Sequence, residues 1–141
     1  MPKLKNPKAK GNKFEAEVCR RINAGVGQQV ATVDKALGAD VKVLLNGVCI
    51  YIECKSPSTT LAKGFEQAEA FVAKTGNGIA AAARREKLGG RTIQVMMKVG
   101  DLHYLCGLAW HLDIEEVSLD YPINVTITLQ DLIRCLKEML Q

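Results

Sequence analysis

Asp40 stands thirteen positions before Glu53, and Lys55 follows two residues later. Between the two acids lies Asn46-Gly47, the strongest short-range signal for a two-residue hairpin turn. If those two residues are the loop, Leu45 faces Val48 and Asp40 falls opposite Glu53. Side chains opposed across a hairpin have Cβ atoms about 4.5–5.5 Å apart, and like charges at that distance destabilise the pair. A divalent cation removes the conflict. Mg²⁺ takes carboxylate oxygens and keeps several waters, and Mn²⁺ is expected to substitute for it. Strand alternation puts Val48, Ile50, Ile52 and Cys54 on one face and Cys49, Tyr51, Glu53 and Lys55 on the other. The first face is apolar and belongs in a core. Lys55 therefore addresses the same spot as Glu53.

A third acid points the same way. On a helical wheel Phe14, Val18, Cys19 and Ile22 form one apolar stripe centred roughly 65° from Phe14. Glu15 lies at about 100°, inside that stripe, whereas Glu17 lies at about 300° and is expected to face solvent. A glutamate on a core-facing stripe is costly unless it is paired or faces a cation. This places Glu15 toward the end of the sheet where Asp40 and Glu53 meet.

The elements that must hold these residues fit one domain. The chain has 141 residues, 48 % apolar and 24 % charged, the balance of a soluble globular protein. No stretch is long and apolar enough for a bilayer span, and no apolar run follows the N-terminal lysines, so neither a membrane nor a signal peptide is expected. The net charge of +4 is concentrated in Lys3, Lys5, Lys8, Lys10 and Lys13, all before Phe14. Those five leave 14 basic against 15 acidic residues over positions 14–141. A basic arm of this kind meets phosphates. Five cysteines, with no C-x-x-C and no zinc spacing, fit a reducing, cytoplasmic compartment.

Residues 1–11 are expected to be a flexible arm ahead of a single domain over 12–141. Asn12 is expected to cap a helix running to about residue 23. Strands follow at 29–33, 40–45 and 48–55, and then a helix from Leu61 to Lys74 capped by Thr59 or Thr60. Strands at 79–85 and 92–99 flank a turn at Leu88-Gly89-Gly90, and residues 102–105 could add a further short strand. A strand at 125–129 and an amphipathic helix from Asp131 form a β-α tail. The expected fold is α/β, a mixed sheet flanked by helices. Trp110, His111 and His103 are read as packing or surface residues.

Taken together, Asp40 and Glu53-Cys54-Lys55 resemble the metal motif of the PD-(D/E)XK nuclease superfamily. The resemblance is greatest to the archaeal-type Holliday-junction resolvases. Lys10-Gly11-Asn12-Lys13-Phe14-Glu15-Ala16-Glu17 matches their K-G-x-x-x-E-x-E opening, and the spacing from Asp40 to Glu53 matches too. Glu66-Gln67-Ala68-Glu69 stands on the following helix, as in that family. Ala39 replaces the proline of the superfamily name. In the stretch 32–38 the resolvases usually carry an arginine and a Ser-Gly pair, where this chain has Lys35 and no such pair.

The resemblance covers about residues 10–99. It implies a restriction-endonuclease-like mixed sheet, with the β-α tail as an extension, and a Mg²⁺-dependent endonuclease acting on branched DNA. By it, Asp40, Glu53 and the backbone carbonyl of Cys54 hold the metal, Glu15 supports the metal or its water, and Lys55 activates water or meets charge on phosphate. Gln67 faces the site from its helix, and Lys35 contacts DNA with the arm lysines. A homodimer would match the two strands of a four-way junction. Another nuclease of the superfamily, or a DNA-binding subunit that does no chemistry, are the alternatives.

Overall fold

A computed structural model of the chain describes residues 7–33, 40–87, 89–110 and 123–141, with side chains described from Lys13 onward. Lys3, Lys5, Lys35, Ala39, Leu88 and His111, and the side chains of Lys8, Lys10 and Asn12, lie outside the described residues. The elements in chain order are α1 (Pro7–Val26), β1 (Ala31–Val33), β2 (Val41–Leu45), β3 (Val48–Lys55), α2 (Leu61–Thr75), β4 (Ile79–Arg85), β5 (Ile93–Lys98), α3 (Val99–Trp110), β6 (Asn124–Thr128) and α4 (Leu129–Met139). The six strands form one mixed sheet in the order β1-β2-β3-β4-β5-β6. Every pair is antiparallel except β3–β4. A parallel pair needs a crossover, and α2 supplies it.

The β2–β3 turn follows from its residue types. Asn46 and Gly47 have φ of 49° and 79°. Both are left-handed, as a twist-matched two-residue turn requires. The Asn46 side-chain amide also donates to the Met139 carbonyl at 2.8 Å, which ties the turn to α4. Caps set the helix ends. The Thr60 hydroxyl accepts from the Lys63 N–H, and Gly76 at φ 79° closes α2 through an N–H donated to the Val72 carbonyl. In α4, Thr128 and Asp131 form a reciprocal capping box.

The two faces of the sheet are covered differently. On one face Val41, Val43, Ile50, Ile52, Ala81, Val95 and Met97 pack with Val18 and Ile22 of α1, Leu105 of α3 and Leu132 and Leu136 of α4. On the other, Leu61, Phe65 and Ala68 of α2 lie on Ala80 and Ala82. Covered on both sides, β4 buries Ala80 through Ala83 in succession. A run of small side chains there lets α2 approach the sheet closely.

Two expectations are corrected. Helix α1 begins at Pro7 and not after an Asn12 cap, and it runs on to Val26. Proline is tolerated in the first turn of a helix, where its missing N–H is no loss. At the other end Gly25 stays helical, and Gly27, at φ 85°, ends the helix. Residues 102–105 are not a strand but the middle of α3. The edge of β5 away from β4 is taken by β6. A segment following β5 has no free neighbour there and satisfies its backbone as a helix, burying Leu105 and Ala109 one turn apart.

Gly25 faces α4 so closely that a Cβ there would collide with the Ile133 side chain. Gly25→Ala is therefore expected to lose about 1–3 kcal/mol by overpacking. In the Ile133→Ala background the same methyl should cost less, because it enters the space that the isoleucine vacates. Urea denaturation of the two single variants and the double checks this.

Candidate metal and phosphate site

The observed register is the one a two-residue loop dictates. Leu45 faces Val48 and Val41 faces Ile52. One step beyond Val41, Asp40 reaches the Glu53 end of β3. Its Oδ2 accepts the Cys54 backbone N–H at 2.8 Å, which holds the carboxylate at the end of the sheet. The Glu53 carboxyl is pushed up to about 8, from an ordinary 4.5. Burial is the largest cause, followed by a hydrogen bond with the Asp40 carboxyl and the Asp40 charge. Glu15 raises it further, and the Lys55 ammonium opposes the rise. The two carboxyls thus share a contact that both cannot occupy as anions without a cation.

Glu15 sits on the stripe the wheel assigned to it. It is 7 % exposed and is the only buried charged side chain among the described residues. It approaches from the α1 side of the sheet, whereas Asp40 and Glu53 belong to the α2 side. Cys54 lies between. Its thiol is pushed up by burial and then by the charges of Asp40, Glu15 and Glu53. All three acids therefore surround the C-terminal end of β3.

Glu17 does not face solvent as its wheel position implied. Its side chain is 17 % exposed, pairs with Arg21 at 2.7 Å and reaches Arg85 of β4. Arg85 also lies over the Phe14 ring, 5.2 Å from its centre, and donates to the Gly90 carbonyl at 3.1 Å. Arg21 donates to the Arg91 carbonyl at 2.9 Å. A wheel describes one helix and carries no information about an arginine 68 residues away. The result is a clamp that fixes α1 to β4 and to the turn after it.

Lys55 is half-buried on the Glu53 face. In the parallel register Arg84 lies directly beside it and points the same way. The Arg84 guanidinium donates to the Thr59 carbonyl at 3.1 Å and to the Gln94 side chain at 3.4 Å. The sequence reading missed this second cation. Its position depends on how β4 docks on β3 after a whole helix, and no local pattern carries that register. Gln67 is exposed on α2, and no hydrogen bond or ion pair among the described residues joins it to the acids. Lys13 is exposed on α1, and His103 and Trp110 are exposed on α3.

Asp40 and Glu53 carry carboxylate oxygens, the donor type that Mg²⁺ takes. Among the described residues no group of three or more His, Cys, Asp or Glu side chains is placed to hold a metal ion. No helix among them is long and apolar enough to cross a membrane. No family model and no curated protein matches the chain.

The raised Glu53 carboxyl predicts how stability depends on pH. Between about 4.5 and about 8 the folded chain holds a proton that the unfolded chain releases. Without divalent metal, the stability of the wild type relative to Glu53→Gln should fall as pH rises through that window. Mg²⁺ favours the ionised pair and should reduce the fall. Melting temperatures of both proteins from pH 4.5 to 8.5, with and without Mg²⁺, measure it.

Proposed function

We propose that the protein is a divalent-metal-dependent endonuclease that hydrolyses phosphodiester bonds in DNA. The single observation that carries this reading is the register-opposed pair Asp40 and Glu53, with Glu15 beneath and Lys55 on the same face. The six-stranded sheet with helices on both faces is compatible with a restriction-endonuclease-like fold of the PD-(D/E)XK kind. Branched DNA, such as a four-way junction, is the favoured substrate, and a homodimer is the form that would cut its two strands symmetrically. The Lys-rich N-terminal stretch, Lys35 and the exposed Lys13 supply charge for the phosphate backbone.

In this reading Asp40, Glu53 and the Cys54 carbonyl would hold Mg²⁺ or Mn²⁺. A cation bound there would polarise a phosphoryl oxygen and make water a better nucleophile at neutral pH. The chain's own residues do the positioning. The Cys54 N–H fixes the Asp40 carboxylate, leaving its other oxygen for a ligand. Glu15, buried under β3, adds negative charge behind the pair and supports the metal or its water from there. The Lys55 ammonium meets the negative charge that builds on phosphorus as water adds and the P–O bond to the leaving strand breaks. Arg84, beside it, extends the positive face along the same row.

Asp40→Asn and Glu53→Gln should each abolish Mg²⁺-dependent cleavage of labelled four-way junction, flap, duplex and single-stranded DNA, while DNA binding is retained. Cleavage of duplex in preference to junction would make the protein a different nuclease of this kind. Binding without cleavage by the wild type in either metal would make it a non-catalytic subunit.

Glu15 and Glu17 test the orientation of α1 separately. Glu15→Gln should slow single-turnover cleavage by roughly 10²-fold or more. Glu17→Gln should instead lose about 1 kcal/mol of stability with its arginine partners and still cleave when folded. Rapid-quench kinetics combined with urea melts on both variants distinguish a chemical role from a structural one.

A further inference from the structure

Lys55 makes no ion pair or hydrogen bond among the described residues, although it lies between two elements at a charged site. Beyond the electrostatic pull of Glu53 on its ammonium, its stem is placed by packing. The packing surface is a gap between α2 and β4. A Cβ at Gly64, in the first turns of α2, would stand 2.8 Å from Lys55 Cγ, 3.2 Å from Ala82 Cβ and 3.6 Å from Lys55 Cε. Gly64 and Ala82 thus form a slot one methyl group deep, and the Lys55 stem runs through it. Nothing in the backbone demands glycine at this position, since Gly64 has ordinary helical geometry and is absent from the residues with positive φ. Inside a helix, glycine is less favourable than alanine. The residue is buried, and the atoms nearest to a Cβ there belong to Lys55 and Ala82.

We infer that Gly64 is a positioning residue: by lacking a side chain it lets the Lys55 stem lie flat against Ala82 and so directs the ammonium toward the Asp40–Glu53 pair. This rests on the nuclease reading above. The stem is an unbranched chain with free rotamers, and confinement limits where its head can go. A methyl group at Gly64 would leave α2 intact and lift the stem out of the slot. The ammonium would then lose its aim at the phosphate without any change in the acids.

The test is a double-mutant cycle between Gly64→Ala and Lys55→Ala, read by stability and by cleavage. Gly64→Ala should raise the melting temperature more in the Lys55→Ala background, where the slot is empty, than in the wild type, where the methyl meets the stem. In single-turnover cleavage, Gly64→Ala should slow the wild type by about tenfold or more at saturating DNA, as a displaced catalytic group does. DNA affinity should stay within about twofold, and the substitution should add almost nothing to the loss already caused by Lys55→Ala. Equal stabilisation in both backgrounds overturns the slot. An active wild type whose Gly64→Ala variant cleaves at the same rate overturns the positioning role and leaves the nuclease reading standing. A wild type that cleaves no DNA with Mg²⁺ or Mn²⁺ overturns both.

Discussion

The arrangement depends on one unfavourable contact. A two-residue turn at Asn46-Gly47 locks the β2–β3 register, and that register carries Asp40 to the Glu53 end of β3. With Glu53 half-buried and Asp40 beside it, the Glu53 carboxyl is held far above its usual range. Such a pair is tolerated because the rest of the fold is rigid. The hairpin is pinned to α4 through Asn46, and Asp40 is anchored on the Cys54 N–H. Strain of this kind is what a cation relieves, and it is the physical basis for reading the end of the sheet as a site.

The surrounding elements aim at that contact from both faces. Helix α1 brings Glu15 beneath β3, and its own position is set by the Glu17–Arg85–Phe14 clamp and by its close approach to Ile133 of α4. Helix α2 closes the other face and confines Lys55. Arg84 holds the loop before α2 through the Thr59 carbonyl, which ties the start of that helix to the row of cations. The acids, the lysine and the arginine come from four segments, but each is fixed by packing within a turn or two of the same strand end.

Much of this could be read from the residues because the decisive geometry is local. The Asn46-Gly47 turn alone fixes who faces whom across the hairpin, and the 100° helical step alone puts Glu15 in the core. What could not be read is non-local. Glu17 looked solvent-facing because its counter-charge sits on a strand that arrives much later in the chain. Helix α3 looked like a strand at Leu102–Leu105 because alternation over four residues does not show that β6 already occupies the edge of β5. The Lys55–Arg84 neighbourhood and the Gly64 slot depend on how a parallel strand docks after its crossover helix. Gln67 carried a family-like pattern, but its helix position leaves it on the exposed side.

The central claim is that the Asp40–Glu53 pair is a cation site whose proton is displaced by metal. Isothermal titration of the metal-free protein with Mg²⁺ near pH 7, repeated in buffers of different ionisation enthalpy, counts the protons released on binding. The account predicts release approaching one proton, falling toward zero as pH rises past about 8, where Glu53 is already ionised. Glu53→Gln should bind Mg²⁺ far more weakly. Binding without proton release at pH 7, or equal affinity in Glu53→Gln, would contradict it.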